Sequence, residues 1–254
     1  MRFNSVVIIC LILIFSCFSE LNDWPSVLKA AKNKYETAKA DASSLEIEQK
    51  TMTMAAGEKA ASLSKIYKKG VKFRMETSVD MPGMPEKLKG MKTTVVFDGD
   101  EMWLSAPMAG KQKLPDSGED KYRSGRDWWM TLSEKGKLEG TEQFGGEKCY
   151  KVKLDEDQAF SRLWISVEDL RLLKAEKEDE EQGVMRIIFS DFKKVDGGWA
   201  FPYKTEIFTG DQLFSRSEVV SLKVNDDIDD SLFDPAGLEG GKMNMKSMMK
   251  MFGQ

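Results

Sequence analysis

Histidine is absent from the chain. That removes Ser-His-Asp and Cys-His nucleophile arrangements and most zinc sites. Cysteine is nearly as scarce, with three residues in 254. Cys10 and Cys17 lie in the N-terminal segment and Cys149 stands alone in the body, so the body can form no internal disulfide. Flanked by Lys148 and Tyr150 on an expected strand, Cys149 reads as a small core residue with no imidazole to activate it. No concentrated basic face exists: 38 Lys+Arg are interspersed with 42 Asp+Glu, for a net charge of −4. This excludes nucleic acid as a partner. The stretch Gly237 to Met243 is too short for a phosphate loop and lacks Ser or Thr after its lysine. The acidic clusters at 155–157 and 226–230 lack the spacing and glycine of a calcium loop. No cofactor, no metal site and no catalytic residue set is expected, and the chain reads as a non-enzyme.

Long apolar runs are also missing, with one exception. Val6 to Phe15 follows a single positive charge at Arg2 and is too short to span a bilayer comfortably, which is the pattern of a secretory signal peptide. Residues 1–19 are therefore expected to be removed after Ser19, leaving a folded domain over 20–235 and a Met/Lys-rich tail over 236–254. A lipid anchor at Cys17, within Ile14-Phe15-Ser16-Cys17, is the alternative. Either route places the product in the periplasm.

What is present is apolar residue at 41% and charge at 31%, arranged mostly with period two. Val95-Val96-Phe97 and Met102-Trp103-Leu104 flank Asp98-Gly99-Asp100, a strong hairpin signal because glycine supplies the positive φ such turns require. Before it, Asn22 to Ala40 carries Val27, Leu28, Ala31, Tyr35 and Ala38 on one stripe, with Asp23 as cap and Pro25 in the first turn, which predicts an amphipathic helix. Strands are predicted from Leu45 through Val224, about eleven in number and joined by short turns, hence an antiparallel meander. Phe73 and Met75 share one face of their strand while Arg74 and Glu76 share the other. Asp80 to Lys92 reads as a loop, and Tyr122 to Leu132 as a short lid helix. Several strands are apolar on both faces, which favours a barrel or deep half-barrel over a flat sheet. The fold class is mainly β with a few helices.

With these elements in order, the chain resembles the periplasmic lipoprotein-sorting carriers of the LolA-like superfamily. The hairpin Phe97-Asp98-Gly99-Asp100-Glu101-Met102-Trp103 is similar to the family's own. So are the pair Leu163-Trp164-Ile165 and Leu170 to Ala175, the pair Ile188 to Phe192 and Trp199 to Tyr203, and the closing Ser231-Leu232-Phe233-Asp234-Pro235. The resemblance covers residues 22–235. It implies an unclosed antiparallel half-barrel with helices at its mouth and an apolar interior holding lipid or lipoprotein acyl chains. It further implies donor and acceptor proteins in the inner and outer membranes, with transient membrane contact. The family's strand-end arginine, which regulates ligand entry, corresponds to Lys69, which lacks the planar guanidinium fork.

The residues expected to line such a cavity are Phe73, Met75, Val95, Phe97, Trp103, Trp128, Trp129, Ile165, Ile188 and Phe201, with Lys69 at the entry. Each of them also suits an ordinary core. Two functions follow: a carrier or receptor for acyl chains, or a non-enzymatic envelope sensor on the same scaffold with a dry interior. In the tail, Met245, Met248, Met249 and Phe252 fall at helical spacing opposite Lys242, Lys246 and Lys250. That pattern fits a loose end, a lipid-touching amphipathic segment or a Cu(I) site.

Overall fold

The computed structural model describes residues 20–55, 58–80, 83, 90–107, 109–115, 129, 132–179, 183–195 and 199–238. The expected signal peptide, most of the lid helix, Trp128 and all but the first three residues of the tail lie outside them. Among the described residues there is one α-helix, α1 (Trp24–Asp41), and thirteen strands in one antiparallel sheet. In chain order they are β1 (Ser44–Ala55), β2 (Glu58–Lys69), β3 (Lys72–Asp80), β4 (Lys92–Phe97), β5 (Met102–Ala106), β6 (Gly110–Lys113), β7 (Gly136–Phe144), β8 (Glu147–Leu154), β9 (Arg162–Ser166), β10 (Leu172–Asp179), β11 (Gly183–Lys194), β12 (Ala200–Thr209) and β13 (Gln212–Val224).

The spatial order is β6-β5-β4-β3-β2-β1-β13-β12-β11-β10-β9-β8-β7. Each neighbour is a sequence neighbour except β1 and β13, so the chain starts in the middle, meanders to one edge, crosses to the far edge and returns. β6 and β7 remain unpaired with each other and the half-barrel stays open, as expected. The count is thirteen strands against about eleven expected; the four residues of β6 have no apolar alternation to betray them. Both edges are blunted against further pairing. β6 is short and carries Lys111 and Lys113, while β7 has a register break between Leu138 and Gly140.

The helix forms where its stripe predicts. The Asp23 carboxylate accepts the Ser26 N–H at 2.7 Å, capping the first turn. Trp24, Val27, Leu28, Ala31 and Tyr35 are buried against Tyr150, Val152 and Leu154 of β8, Leu163 and Ile165 of β9, and Leu172 and Ala175 of β10. Gly136 makes this approach possible: a Cβ there would stand 2.9 Å from the Lys153 carbonyl oxygen and 3.1 Å from the Trp24 ring. Trp24 Nε1 then donates to the Ser133 carbonyl at 3.0 Å, fixing the start of the helix over β7.

Because opposed residues in an antiparallel ladder point to the same side, the register assigns every side chain to a face. The helix-bearing face holds a second core around β1, β12 and β13, built from Leu45, Ile47, Trp199 and Phe201. The opposite face carries a small cluster of its own, Cys149, Trp164 and Leu173. After β13 the closing motif turns through two 3-10 segments, with Asp229 and Asp234 accepting the Ser231 and Ala236 N–H groups. It packs against β3, held by Arg74 donating to the Leu232 carbonyl at 2.8 Å.

Candidate functional site, the open part of the helix-bearing face

Seven adjacent strands, β12-β13-β1-β2-β3-β4-β5, present one continuous surface on the helix-bearing face. Pairing sets Phe73 opposite Phe97 and Met75 opposite Val95, and β5 adds Met102 opposite Phe97 and Leu104 opposite Val95. On the other side Met75 faces Ile66, which faces Ile47. Read along the ladders, this face carries a charged residue only at the two ends of β2, Glu58 and Lys68. The cores dry out the β1 end and the ground beneath α1. Phe73, Met75, Val95, Phe97, Met102 and Leu104 stay half-buried.

Beyond this apolar patch the same face turns to hydroxyls. The change falls between Met75 and Thr77 on β3, Ile66 and Ser64 on β2, Val95 and Thr93 on β4, Val219 and Ser217 on β13, and Tyr203 and Thr205 on β12. Cross-strand pairs join Ser64 to Thr77 at 2.9 Å, Thr51 to Ser217 at 2.8 Å and Thr53 to Ser215 at 3.5 Å.

The opposite face is rich in paired charges, most densely on β1–β3, β12 and β13. Glu48 faces Lys65, which faces Glu76. Glu76 also binds Arg74 at 2.8 Å and Lys92 at 3.1 Å. Burial works to raise the Glu76 carboxyl, but the hydrogen bonds from Arg74 and Lys92 outweigh it and hold the group below its ordinary range. Glu206 is placed the same way, burial being overcome by Arg216 and Lys204. Aromatic residues on this side are covered by cations. The Lys174 amine sits 3.6 Å from the Trp164 ring centroid, and the Lys111 amine 5.1 Å from that of Trp103. A sheet apolar on both faces is thus covered by a helix on one and by charged side chains on the other.

The ten expected cavity residues divide accordingly. Phe73, Met75, Val95 and Phe97 come together on the open patch. Phe201 belongs to the β1 core, with its ring 5.4 Å from Trp199 and 6.3 Å from Tyr203. Ile165 and Trp129 belong to the core under α1, where Trp129 stacks on Tyr35 at 4.4 Å. Trp103, opposite Val96 and Lys113, and Ile188, opposite Lys174 and Glu206, are on the charged face. Trp128 lies outside the described residues. Lys69 is also on the charged face, donating to the Ile228 carbonyl at 2.8 Å and to Asp230 at 3.0 Å. Met102, Leu104 and the hydroxyl rows were not anticipated; the alternation Thr51-Met52-Thr53 with Ser215-Arg216-Ser217 was the available signal.

A groove of about 580 Å³ lies over β13, β1, β2 and β3. Met52, Ala61 and Leu63 line it together with charged Lys50, Asp80, Arg216 and Glu218, all side chains of the charged face, and Gly90 from the loop beyond β3. None of the ten expected residues is among its lining. Among the described residues no three acidic or cysteine side chains converge on a metal-sized site. Cys149 is buried, and burial followed by the nearby Glu147 pushes its thiol up to about 11.

The fold is similar to that of three solved structures described as lipoprotein-sorting, DUF1329 and LolA superfamily proteins. A putative outer membrane lipoprotein-sorting protein domain from Vibrio parahaemolyticus superposes with a TM-score of 0.59 at 15% identity, covering 84% of this chain and 98% of that one. A DUF1329 family protein from Desulfovibrio piger gives 0.58 at 20% identity, over 84% and 99%. A LolA superfamily protein from Nitrosomonas europaea gives 0.51 at 16%, over 80% and 97%. In sequence, a family model described as an uncharacterized protein matches residues 130–240. No curated protein matches the chain.

Proposed function

We propose that the protein is a non-enzymatic envelope carrier or receptor that seats acyl chains on the open part of its helix-bearing face. The observation that carries this reading is a surface across seven strands, charged only at Glu58 and Lys68 near the two ends of β2, whose aromatic and aliphatic side chains stay half-buried at β3–β5. Each methylene removed from water there contributes about 0.8 kcal/mol, so one chain suffices for useful affinity. The similar Vibrio parahaemolyticus protein is described as a putative lipoprotein-sorting domain, and the leader pattern at 1–19 is consistent with a periplasmic product. In this reading donor and acceptor proteins sit in the two membranes.

Diphenylhexatriene, an uncharged probe that fluoresces in apolar surroundings, tests it. The protein is expected to bind the probe, and Met75→Asp and Val95→Asp to abolish binding while melting cooperatively. Undiminished probe fluorescence in both variants contradicts the reading. The sensor function has one observation in its favour, the mixed-charge groove over β13 and β1–β3, and gains ground if the protein binds no probe at all.

A further inference from the structure

We propose that the mixed-charge groove over β13 and β1–β3 is the docking site of the chain's own Met/Lys-rich tail, residues 239–254. The tail would lie in it as an amphipathic strap. This does not depend on the acyl-chain reading, because groove and open patch are on opposite faces of the sheet.

The tail starts on the groove's side. Lys69 and Lys72 donate to Asp230 at 3.0 and 2.9 Å, and Arg74 donates to the Leu232 carbonyl at 2.8 Å. All three side chains project from the charged face, so the closing motif is fastened there. Leu238, the last described residue, is buried, which anchors the point of departure. Arg74 and Asp80, at the two ends of the path along β3, are six residues apart, about 20 Å. Sixteen residues follow Leu238 in the sequence. A helix over 242–252 is about 16 Å long, and three extended residues before it add about 10 Å. The groove is within reach.

Its chemistry matches the tail on both counts. Met245, Met248, Met249 and Phe252 recur at i, i+3, i+4 and i+7, while Lys242, Lys246 and Lys250 recur every fourth residue. The groove presents Met52, Ala61 and Leu63 as an apolar floor, within a volume of about 580 Å³. Unbranched, polarizable methionine fills such irregular space well. At the rim, Arg216 is committed to Glu206 at 2.7 Å, whereas Asp80 and Glu218 form no ion pair among the described residues. Two carboxylates therefore stand against Lys50, and residues 240–254 bring three lysines and no acid. Exposed ion pairs contribute little, so they set the strap's register while the apolar stripe carries the affinity. Tethering favours this occupant over a free peptide: a short linker holds the tail at an effective concentration on the order of millimolar, and weak contacts suffice.

Peroxide oxidation of the full-length protein, read at each methionine by mass spectrometry of tryptic peptides, tests the proposal. Met248 and Met249 are expected to oxidise about fivefold or more slowly in the wild-type chain than in Leu63→Asp, which puts a carboxylate on the groove floor. Met245→Asp with Phe252→Asp leaves every residue of the sheet unchanged and is expected to remove the protection equally, with diphenylhexatriene binding unaltered. Met75→Asp, on the opposite face, is expected to keep it, and dilution to leave it unchanged. Equal oxidation rates in the wild-type chain and the tail variant overturn the proposal, as does protection kept in a Leu63→Asp chain that melts cooperatively. Protection lost in Met75→Asp instead puts the tail on the opposite face. Protection that fades on dilution assigns the groove to the tail of a second copy. Either result overturns the proposal and leaves the acyl-chain reading to its own test.

Discussion

Leu163 and Met75 stand on the same face of the same sheet, yet one is sealed and the other is half-open. Leu163 lies beneath α1 with 0% of its surface exposed, in a cluster that includes Val27, Leu28 and Ala31. Met75 has cross-strand neighbours of equal apolarity, Ile66 and Val95, and no described helix above it. The alternation that produces both is identical, so apolar patterning alone does not separate a core from a ligand surface. What separates them is the cover. Over β8–β10 the fold spends its apolar face on its own stability; over β3–β5 the described residues leave that face half-buried.

Substitutions that treat the two regions alike should expose the difference. Leu163→Ala creates a cavity under the helix and is expected to cost about 2–5 kcal/mol of unfolding free energy, read from urea denaturation. Met75→Ala should cost less, about 1–2 kcal/mol, because part of the side chain is already in water and no closed cavity is left. Equal losses would mean that the β3–β5 patch is packed like the other. Gly136→Ala comes next, at about 1–3 kcal/mol, since the Lys153 backbone oxygen and Trp24 must both move for the new methyl. A neutral result there would mean that α1 sits less tightly on β7 than its contacts imply.

Acid titration probes the charged face. Glu76 and Glu206 hold their protons less readily in the folded chain than their ordinary value of 4.5. The unfolded state therefore takes up more protons as pH falls, and their contribution, fully present above that value, is lost as pH drops through the depressed folded values. Glu76→Gln and Glu206→Gln should each flatten the loss of melting temperature below pH 4.5. The smallest effect is expected at Cys149: with its thiol at about 11 and its side chain buried, it should resist alkylation at pH 8 until denaturant is added.

Much of this plan was legible in the residues. The Val27-Leu28-Ala31-Tyr35 stripe dictated a helix that must lie on the sheet, and the Asp98-Gly99 turn fixed the hairpin on which β3–β5 is built. Turn spacing gave the meander. Sidedness between distant strands was not legible, because alternation sorts residues within a strand but does not say which set joins which. Trp103 and Ile188 looked as suitable for a cavity as Phe97 and Met75, and only the ladder register sends them to the charged side, where Lys111, Lys174 and Glu206 meet them. Ile165 and Trp129 were legible as apolar but not as ground the helix would occupy. The hydroxyl rows went unread for a related reason: serine and threonine on one strand are unremarkable until six adjacent strands are seen to place theirs side by side.

Native mass spectrometry of the protein isolated from cell envelopes, beside its Met75→Asp variant, tests the central claim most directly. The account predicts that the wild-type chain carries an adduct whose fragments include fatty acyl groups, and that the variant flies as bare polypeptide. Bare polypeptide from both, or an acyl adduct retained by the variant, would contradict it.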